Sequence, residues 1–265
     1  MNLSDITPLV LTFNEEPNIG RCLEQLRWAE RVVVIDSGST DNTIAICREF
    51  PNVQAVHRAF DNHTAQWNFG LDQISSNWVL TLDADYMITD EFIAELRALD
   101  VSESPSPARA WSVGFHYVLA GKQLRGTLYP PRLVLFERRT HRYEQDGHTQ
   151  ILKTSGPSGL LKSRLNHDDR KPLSRWLDSQ RKYAALEADK LSREIPGSGA
   201  ADHLRKMIWP AAPAAFLYTL FFKGLILDGW PGIFYALQRT YAELLLSLEL
   251  LDRRIKGKSN KSNNR

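Results

Sequence analysis

"WVLTLDAD", residues 78–85, runs through uncharged positions from Trp78 to Leu82 and then sets Asp83 and Asp85 on either side of Ala84. A strand this apolar is covered on both faces, which places it inside a sheet flanked by helices. Two ionised carboxylates about 5 Å apart repel by roughly 1 to 3 kcal/mol at effective dielectrics of about 80 down to 20, so its end calls for a cation. A divalent metal answers that need, because Asp-x-Asp can hold Mg2+ or Mn2+ through few protein ligands and leave positions for phosphate oxygens and water. Taken alone, the tripeptide is better read as two solvated loop acids. Its place at the end of the most apolar strand favours the metal.

Upstream, short apolar runs alternate with amphipathic ones. "ITPLVLT" (6–12) reads as a strand, and "PNIGRCLEQL" (17–26) as a helix with Ile19, Cys22, Leu23 and Leu26 at helical spacing and Pro17 in its first turn. Strand "RVVVID" (31–36), a helix opening near Asp41, strand "VQAVH" (53–57) and helix "TAQWNFGLDQI" (64–74) complete a β-α-β-α-β-α-β series. That series predicts a parallel sheet with helices on both faces, its ligand beyond the carboxyl ends of the strands near a switch in strand order. Polar residues stand at each of those ends: Thr12 and Asn14, Asp36 and Ser37, Asp83 and Asp85.

Residues 90–98 read as a helix capped by Asp90, and "VSESPSPA" (101–108) as a Ser/Pro loop. Strand-like segments over 109–125 and 132–139 predict added antiparallel structure at the sheet edge, and polar residues gather in "HRYEQDGHTQ" (141–150). From about Ser174 the chain is helical, with "IPGSGAAD" (195–202) as a break. The expected division is a catalytic domain over 1–170 and a helical region over 171–265.

Two further stretches can carry chemistry. In "VIDSGSTDNT" (34–43), Gly38 permits a tight turn whose amides can face an anion or a nucleoside, and Asp36 can accept from a ribose hydroxyl or a base N–H. In isolation a capped β-α loop is the better reading of it. "LTFNEE" (11–16) again places polar residues after a strand.

"TFNEE", "VIDSGSTDNT" and "TLDAD", in that order and with "AQWNFGL" before the last, closely resemble the inverting glycosyltransferases of family 2. The resemblance implies the glycosyltransferase A fold: a Rossmann-like, mostly parallel α/β sheet with an antiparallel edge, here followed by a C-terminal helical extension. "LNHDD" (165–169), "RWLDSQRKYAALEA" (175–188) and "ILDGWPG" (226–232) are similar to the branch of lipopolysaccharide inner-core β-1,4-glucosyltransferases. Carried over by position, Thr12, Asn14 and Glu15 would line the nucleotide pocket, Asp36 would contact base or ribose, and Gln66 and Asn68 would lie near the diphosphate. Asp83 would face the ribose and sugar, and Asp85 would be the principal ligand of a divalent cation, Mg2+ or Mn2+, that neutralises the leaving diphosphate.

An inverting transfer also needs a general base for the acceptor hydroxyl. Relatives in that branch often show a His-Glu pair after the edge strands, whereas here His148 is followed by Thr149. The candidates are Asp146, ranked first, with Glu144 and His148; His167 and Asp168 approach the same cleft.

Composition fits one large α/β domain with an appendage: 265 residues, 43% hydrophobic and 24% charged. A net charge of +2 gives no reason to expect a nucleic-acid partner. Cys22 and Cys47 lack metal spacing and read as reduced, buried thiols, and no secretion signal opens the chain, so the catalytic part is expected to face the cytoplasm. "MIWPAAPAAFLYTLFF" (207–222) carries no charge but is interrupted by Pro210 and Pro213, and falls short of the roughly 20 residues that span a bilayer. With the apolar face of 224–251 and the basic tail after it, this region suits either the surface of a membrane or a helical hairpin packed within the protein or a dimer.

The reading is therefore a metal-dependent transferase moving a hexose, with glucose from UDP-glucose expected, onto a lipid-linked saccharide such as lipopolysaccharide inner core. It would act peripherally at the inner face of the cytoplasmic membrane. A sugar-phosphate nucleotidyltransferase is the rival enzyme, but "LTFNEEPNIG" lacks its glycine-rich opening. A non-catalytic, membrane-associated nucleotide-sugar-binding protein is the other rival, and intact Asp83 and Asp85 argue against it.

Overall fold

Strands β1 (Ile6–Thr12), β2 (Val32–Asp36), β3 (Val53–His57) and β4 (Trp78–Asp83) run parallel, linked by α1 (Glu16–Glu24), α2 (Thr43–Cys47) and α3 (His63–Asp72). The structure, a computed structural model, describes residues 1–101, 108–146, 149–154, 156–192 and 199–262. The strands lie in the spatial order β3-β2-β1-β4, so the order reverses between β1 and β4, where open α/β sheets bind ligands. Alternate side chains of each strand go to opposite faces. Ile6, Val10, Val32, Val34, Leu80 and Leu82 meet the helices α1 and α2, while Leu9, Val33, Ile35 and Val79 meet Trp67 and Leu71 of α3. Leu80 is fully buried, and truncating such a side chain to alanine costs about 2–5 kcal/mol.

Downstream come β5 (Tyr86–Met87), α4 (Asp90–Ala98), β6 (Ala110–Leu119), β7 (Lys122–Gln123), β8 (Arg132–Glu137), β9 (Arg142–Asp146), β10 (Thr149–Lys153) and β11 (Ser158–His167). Among the described residues the sheet continues from β4 through β8, β6 and β11 to β5, with β7 beside β6 and with β9 and β10 forming a separate antiparallel pair. Strand β8, antiparallel to both β4 and β6, lies inside the sheet, while β5 runs antiparallel to β11 at its edge. Strand β11, parallel to β6, has no counterpart in the sequence reading. The N-cap of α4 is Thr89, whose hydroxyl accepts from the amide of Phe92, so Asp90 is the first helical residue and not the cap. Residues 102–107 of the expected Ser/Pro loop lie outside the described residues. So do 193–198, which hold the start of the expected break; α5 (Leu173–Ser192) ends before them and α6 (Ala200–Lys206) begins after.

The chain divides into two compact units, Met1–Gln123 with Tyr129–Lys171, and Leu124–Leu128 with Pro172–Arg265. In the second, α5 and α6 precede α7 (Ala211–Leu217), a π-helical turn, a 3-10 turn and α8 (Trp230–Ser262). Ala184, Ala188 and Leu191 of α5 pack on Leu246 and Leu250 of α8, the alanines allowing close approach. Asp228, buried, accepts from the amide of Arg125, and the hydroxyl of buried Tyr235 accepts from the amide of Leu128, which ties the 124–128 segment to this unit. Gly232 is forced: a Cβ there would lie 1.9 Å from the carbonyl of Leu225. No helix among the described residues is long and apolar enough to cross a membrane.

Candidate active site

Register brings the polar strand ends together, since Thr12 stands opposite Asp36 and Leu11 opposite Asp83. Asp36 is buried and both its oxygens are engaged. Oδ1 accepts from the hydroxyls of Thr12 (3.0 Å) and Ser39 (2.5 Å), and Oδ2 from the amides of Gly38 and Ser39 (2.9 Å each). The turn needs Gly38, at φ 91°, to bring those amides back over the carboxylate. Asn14, itself left-handed at φ 54°, donates its amide to Ser39 Oγ (2.8 Å) and accepts at Oδ1 from the amide of Thr40 (2.7 Å). The loops after β1 and β2 are thus laced into one body. Beside it opens a cleft of about 610 Å³, lined among others by Asp36, Gly38, Ser39 and His57, a size suited to a small ligand.

Gln66, buried in α3, joins this body by donating to Ser37 Oγ (2.8 Å) while accepting from Arg58 (2.7 Å). Asn68 engages both ends of its amide with the backbone of Tyr143, at 3.0 Å each, and so pins β9 to α3.

At the end of β4 the two acids separate in character. Burial raises the Asp83 carboxyl and the charge of Asp85 raises it further. Burial also opposes ionisation of Asp85, but His167, and then Lys171, outweigh it and hold Asp85 below the usual carboxylate range. Asp85 Oδ2 lies 3.3 Å from His167 Nε2, while Asp85 Oδ1 and His167 Nδ1 are buried without a hydrogen-bond partner. His167 is the last residue of β11, paired with Tyr117 of β6 and Tyr86 of β5, and both rings, with that of Tyr129, surround its imidazole at 4.7–5.5 Å.

The residues after His167 close over this corner. The amide of Asp168 donates to the carbonyl of Asp85 (3.0 Å), Arg21 donates to Asp168 (2.5 Å), and Asn18 of α1 donates to both Asp169 (3.0 Å) and Glu15 (2.9 Å). Lys171 Nζ donates to Glu15 Oε1 (2.6 Å). Burial disfavours the ammonium, yet Asp85, Glu15 and Asp169 hold it charged with its pKa raised. Burial pushes the Glu15 carboxyl up to about 7 against Lys171, with Asp85 adding to the rise. The cations demanded by the Asp-x-Asp pair are therefore His167, when protonated, and Lys171. Sequence reading named the first only as approaching the cleft and missed the second, although "NHDDRK" (166–171) is the densest run of ionisable residues in its neighbourhood.

Among the described residues no group of three or more His, Cys, Asp or Glu side chains is arranged to hold a metal ion. Two donors nevertheless fit a hard cation that takes its remaining ligands from phosphate and water. The orphaned Asp85 Oδ1 and the adjacent imidazole, in its neutral form, are such a pair, so that a metal and the His167 proton would replace one another.

On the other side of Asp83 a pocket of about 320 Å³ is lined by Tyr86, Tyr129, Arg132, Tyr143 and Gln150, among others. Arg132 lies over the Tyr129 ring, 5.6 Å from its centroid. Of the three base candidates, Glu144 is exposed and paired with Lys153 (2.9 Å), and it does not line this pocket. The backbone of Asp146 ends β9, its side chain lies outside the described residues, and so does His148.

Residues 9–100, which hold the laced loops and the Asp-x-Asp strand, match the model of glycosyl transferase family 2. Over 94% of its length the chain is 24% identical to a lipopolysaccharide core biosynthesis glycosyltransferase, LpsC, of Rhizobium meliloti, and covers 92% of that protein. It is 20% identical to an uncharacterized glycosyltransferase of Rickettsia prowazekii, with 97% and 90% covered. A mannosyltransferase from Pyrobaculum calidifontis, solved in complex with GDP-Man and Mn2+, superposes with a TM-score of 0.56 at 16% identity over 93% of this chain and 87% of that one. The chain is a glycosyltransferase whose residues 9–100 match family 2, on the glycosyltransferase A fold.

Proposed function

We propose that the protein transfers a hexose, glucose from UDP-glucose, with inversion onto a lipid-linked saccharide of the lipopolysaccharide inner-core type. The observation that carries the reading is the buried Asp85–His167 pair, with one carboxylate oxygen unsatisfied, beside the Asp36 loop. The likeness to the R. meliloti lipopolysaccharide core enzyme supports the acceptor class, and the Mn2+ and GDP-Man of the P. calidifontis enzyme support a metal and a nucleotide sugar.

In this reading Asp36 shapes the loop that meets the nucleoside: its four acceptor positions are filled by Thr12, Gly38 and Ser39, which fixes that loop in advance. Asp85 and His167 would hold a divalent cation, Mg2+ or Mn2+, which supplies positive charge to the departing diphosphate. Lys171 adds a second, permanent positive charge next to Asp85, and Asp83 faces the ribose and sugar. The pocket beside Asp83 receives the saccharide, with Arg132 donating to it. Asp146 takes the acceptor proton, with His148 and then Glu144 as the other candidates. The division of labour follows residues 1–170 for catalysis and 171–265 for docking at the inner face of the cytoplasmic membrane. There, the 207–228 segment exposes Trp209, Phe221, Phe222 and Leu227, with Lys223 and the buried Asp228 as its charged residues.

The test is UDP release and thermal shift against UDP-glucose, UDP-galactose, UDP-N-acetylglucosamine and GDP-mannose, with and without Mn2+. Metal-dependent stabilisation and slow hydrolysis with UDP-glucose alone are expected. Release of pyrophosphate from a nucleoside triphosphate, or no response to any donor from folded protein, would overturn the reading.

A further inference from the structure

Helix α8 leaves its large apolar side chains exposed along one line. Between Trp230 and Ile255 every exposed large hydrophobic residue follows alternating steps of four and three. With Trp230 set at position d of a heptad, Leu237, Leu244 and Leu251 occupy the later d positions. Phe234, Tyr241, Leu248 and Ile255 occupy the a positions. Their exposures run from 38% to 82%. The opposite face is already used: Tyr235 and Ala236 are fully buried, and Leu246 and Leu250 pack on α5.

The width of this line decides what fits it. A helix lying in a lipid surface presents a broad apolar arc at the 3.6-residue period, whereas a strip only a and d wide, kept at 3.5 over more than three heptads, matches the seam between two supercoiled helices. The strip spans about 38 Å at 1.5 Å per residue. Eight half-exposed side chains of this size offer on the order of 800 Å² per copy, one side of a standard stable interface.

We propose that the strip is covered by α8 of a second copy of this chain, in a two-fold, parallel coiled coil. Leucine at three of the four d positions suits two parallel strands. Parallel pairing also keeps the Trp230 ends of both copies together, so two 207–228 segments would reach the same surface. The pairing itself does not rest on the transferase reading, and its test contains no nucleotide or acceptor.

Sedimentation velocity of the full chain, without lipid or detergent, should show a concentration-dependent dimer. Leu244→Glu with Leu248→Glu should raise its dissociation constant by at least about 100-fold with an unchanged circular-dichroism melt, since both side chains face out. An a residue meets its own copy across a parallel two-fold. Leu248→Cys should therefore give a disulfide-linked dimer on oxidation by diamide, which takes up the two thiol hydrogens, while Glu249→Cys should not. The native Cys22 and Cys47 are buried at 1% exposure and stay silent. A monomer at every concentration overturns the proposal, as does a dimer indifferent to the two glutamates. Loss of phosphatidylglycerol-vesicle binding in the double variant without any change in association overturns it in favour of a bilayer.

Discussion

The strand ends of β1, β2 and β4 and the β9–β10 hairpin border neighbouring pockets but are built differently. At the strand ends the polar side chains are bound to one another: Asp36 accepts four hydrogen bonds, Asn14 is bonded twice to the loop after β2, and Glu15 is held by Thr43 and by Lys171. The hairpin is a separate two-stranded ladder that puts one face, Tyr143 and Leu152, into the core, is fastened by Asn68, by Thr64 to Gln145, by Arg142 to Asp72 and by the Tyr143 hydroxyl to Thr81, and leaves Glu144 and Ile151 exposed. A fixed constellation suits a group that is the same in every turnover, such as a nucleoside diphosphate. A hairpin with an exposed outer face can change the residues on that face, and with them the acceptor in the proposed reading, without disturbing the strand-end loops.

The largest effect that this contrast predicts is at Asp85. Replacing it with alanine should lower turnover by about 10³-fold or more and abolish metal-dependent UDP binding. The fold should survive, because relieving the repulsion between two buried carboxylates offsets the missing hydrogen bond to His167. Turnover within tenfold of the parent, measured as UDP release at saturating Mn2+, would break the assignment of the donor side.

The hairpin should yield a smaller and different loss. Asp146→Asn is expected to lower kcat by about 10²-fold while leaving UDP affinity unchanged, which is the scale of removing a general base. Glu144→Gln, which breaks an exposed pair with Lys153, should change kcat less than twofold. The reverse pattern would move the base to Glu144 and require the hairpin to turn over in the complex.

The fold was legible because β1, β2 and β4 are continuous apolar runs with helices between them, and each ends in a polar residue that register then aligns. Strand β11 was not legible. Its buried residues Leu161 and Leu165 are separated by Lys162, Ser163 and Arg164, so charge masked a period of two that only pairing with β6 makes sense of. The site divided the same way. Asp36, Asp83 and Asp85 follow their strands and announce themselves locally, whereas His167 and Lys171 reach Asp85 from more than 80 residues away. Spacing in sequence carries no trace of such a contact. The N-cap of α4 slipped by one residue because Thr89 and Asp90 are both good caps, and backbone geometry chose the first.

Arg132 gives the finest test of the contrast, because it stands in the pocket proposed for the saccharide while belonging to neither the strand-end loops nor the hairpin. Its guanidinium lies over Tyr129, and Tyr129 and Tyr143, both raised chiefly by burial, feel the opposed charges of Asp83 and Arg132. The pocket thus runs from a carboxylate to a guanidinium with phenols between, a lining that grips hydroxyls at both ends. Arg132→Met keeps the aliphatic stem that packs on the ring and removes the donors. A hydrogen bond from a charged donor contributes about 1.5–3 kcal/mol, so the acceptor KM should rise by about tenfold or more with UDP affinity unmoved. A rise in the KM for the sugar nucleotide instead would extend the donor site across Asp83 and shift the boundary between the two regions to β8.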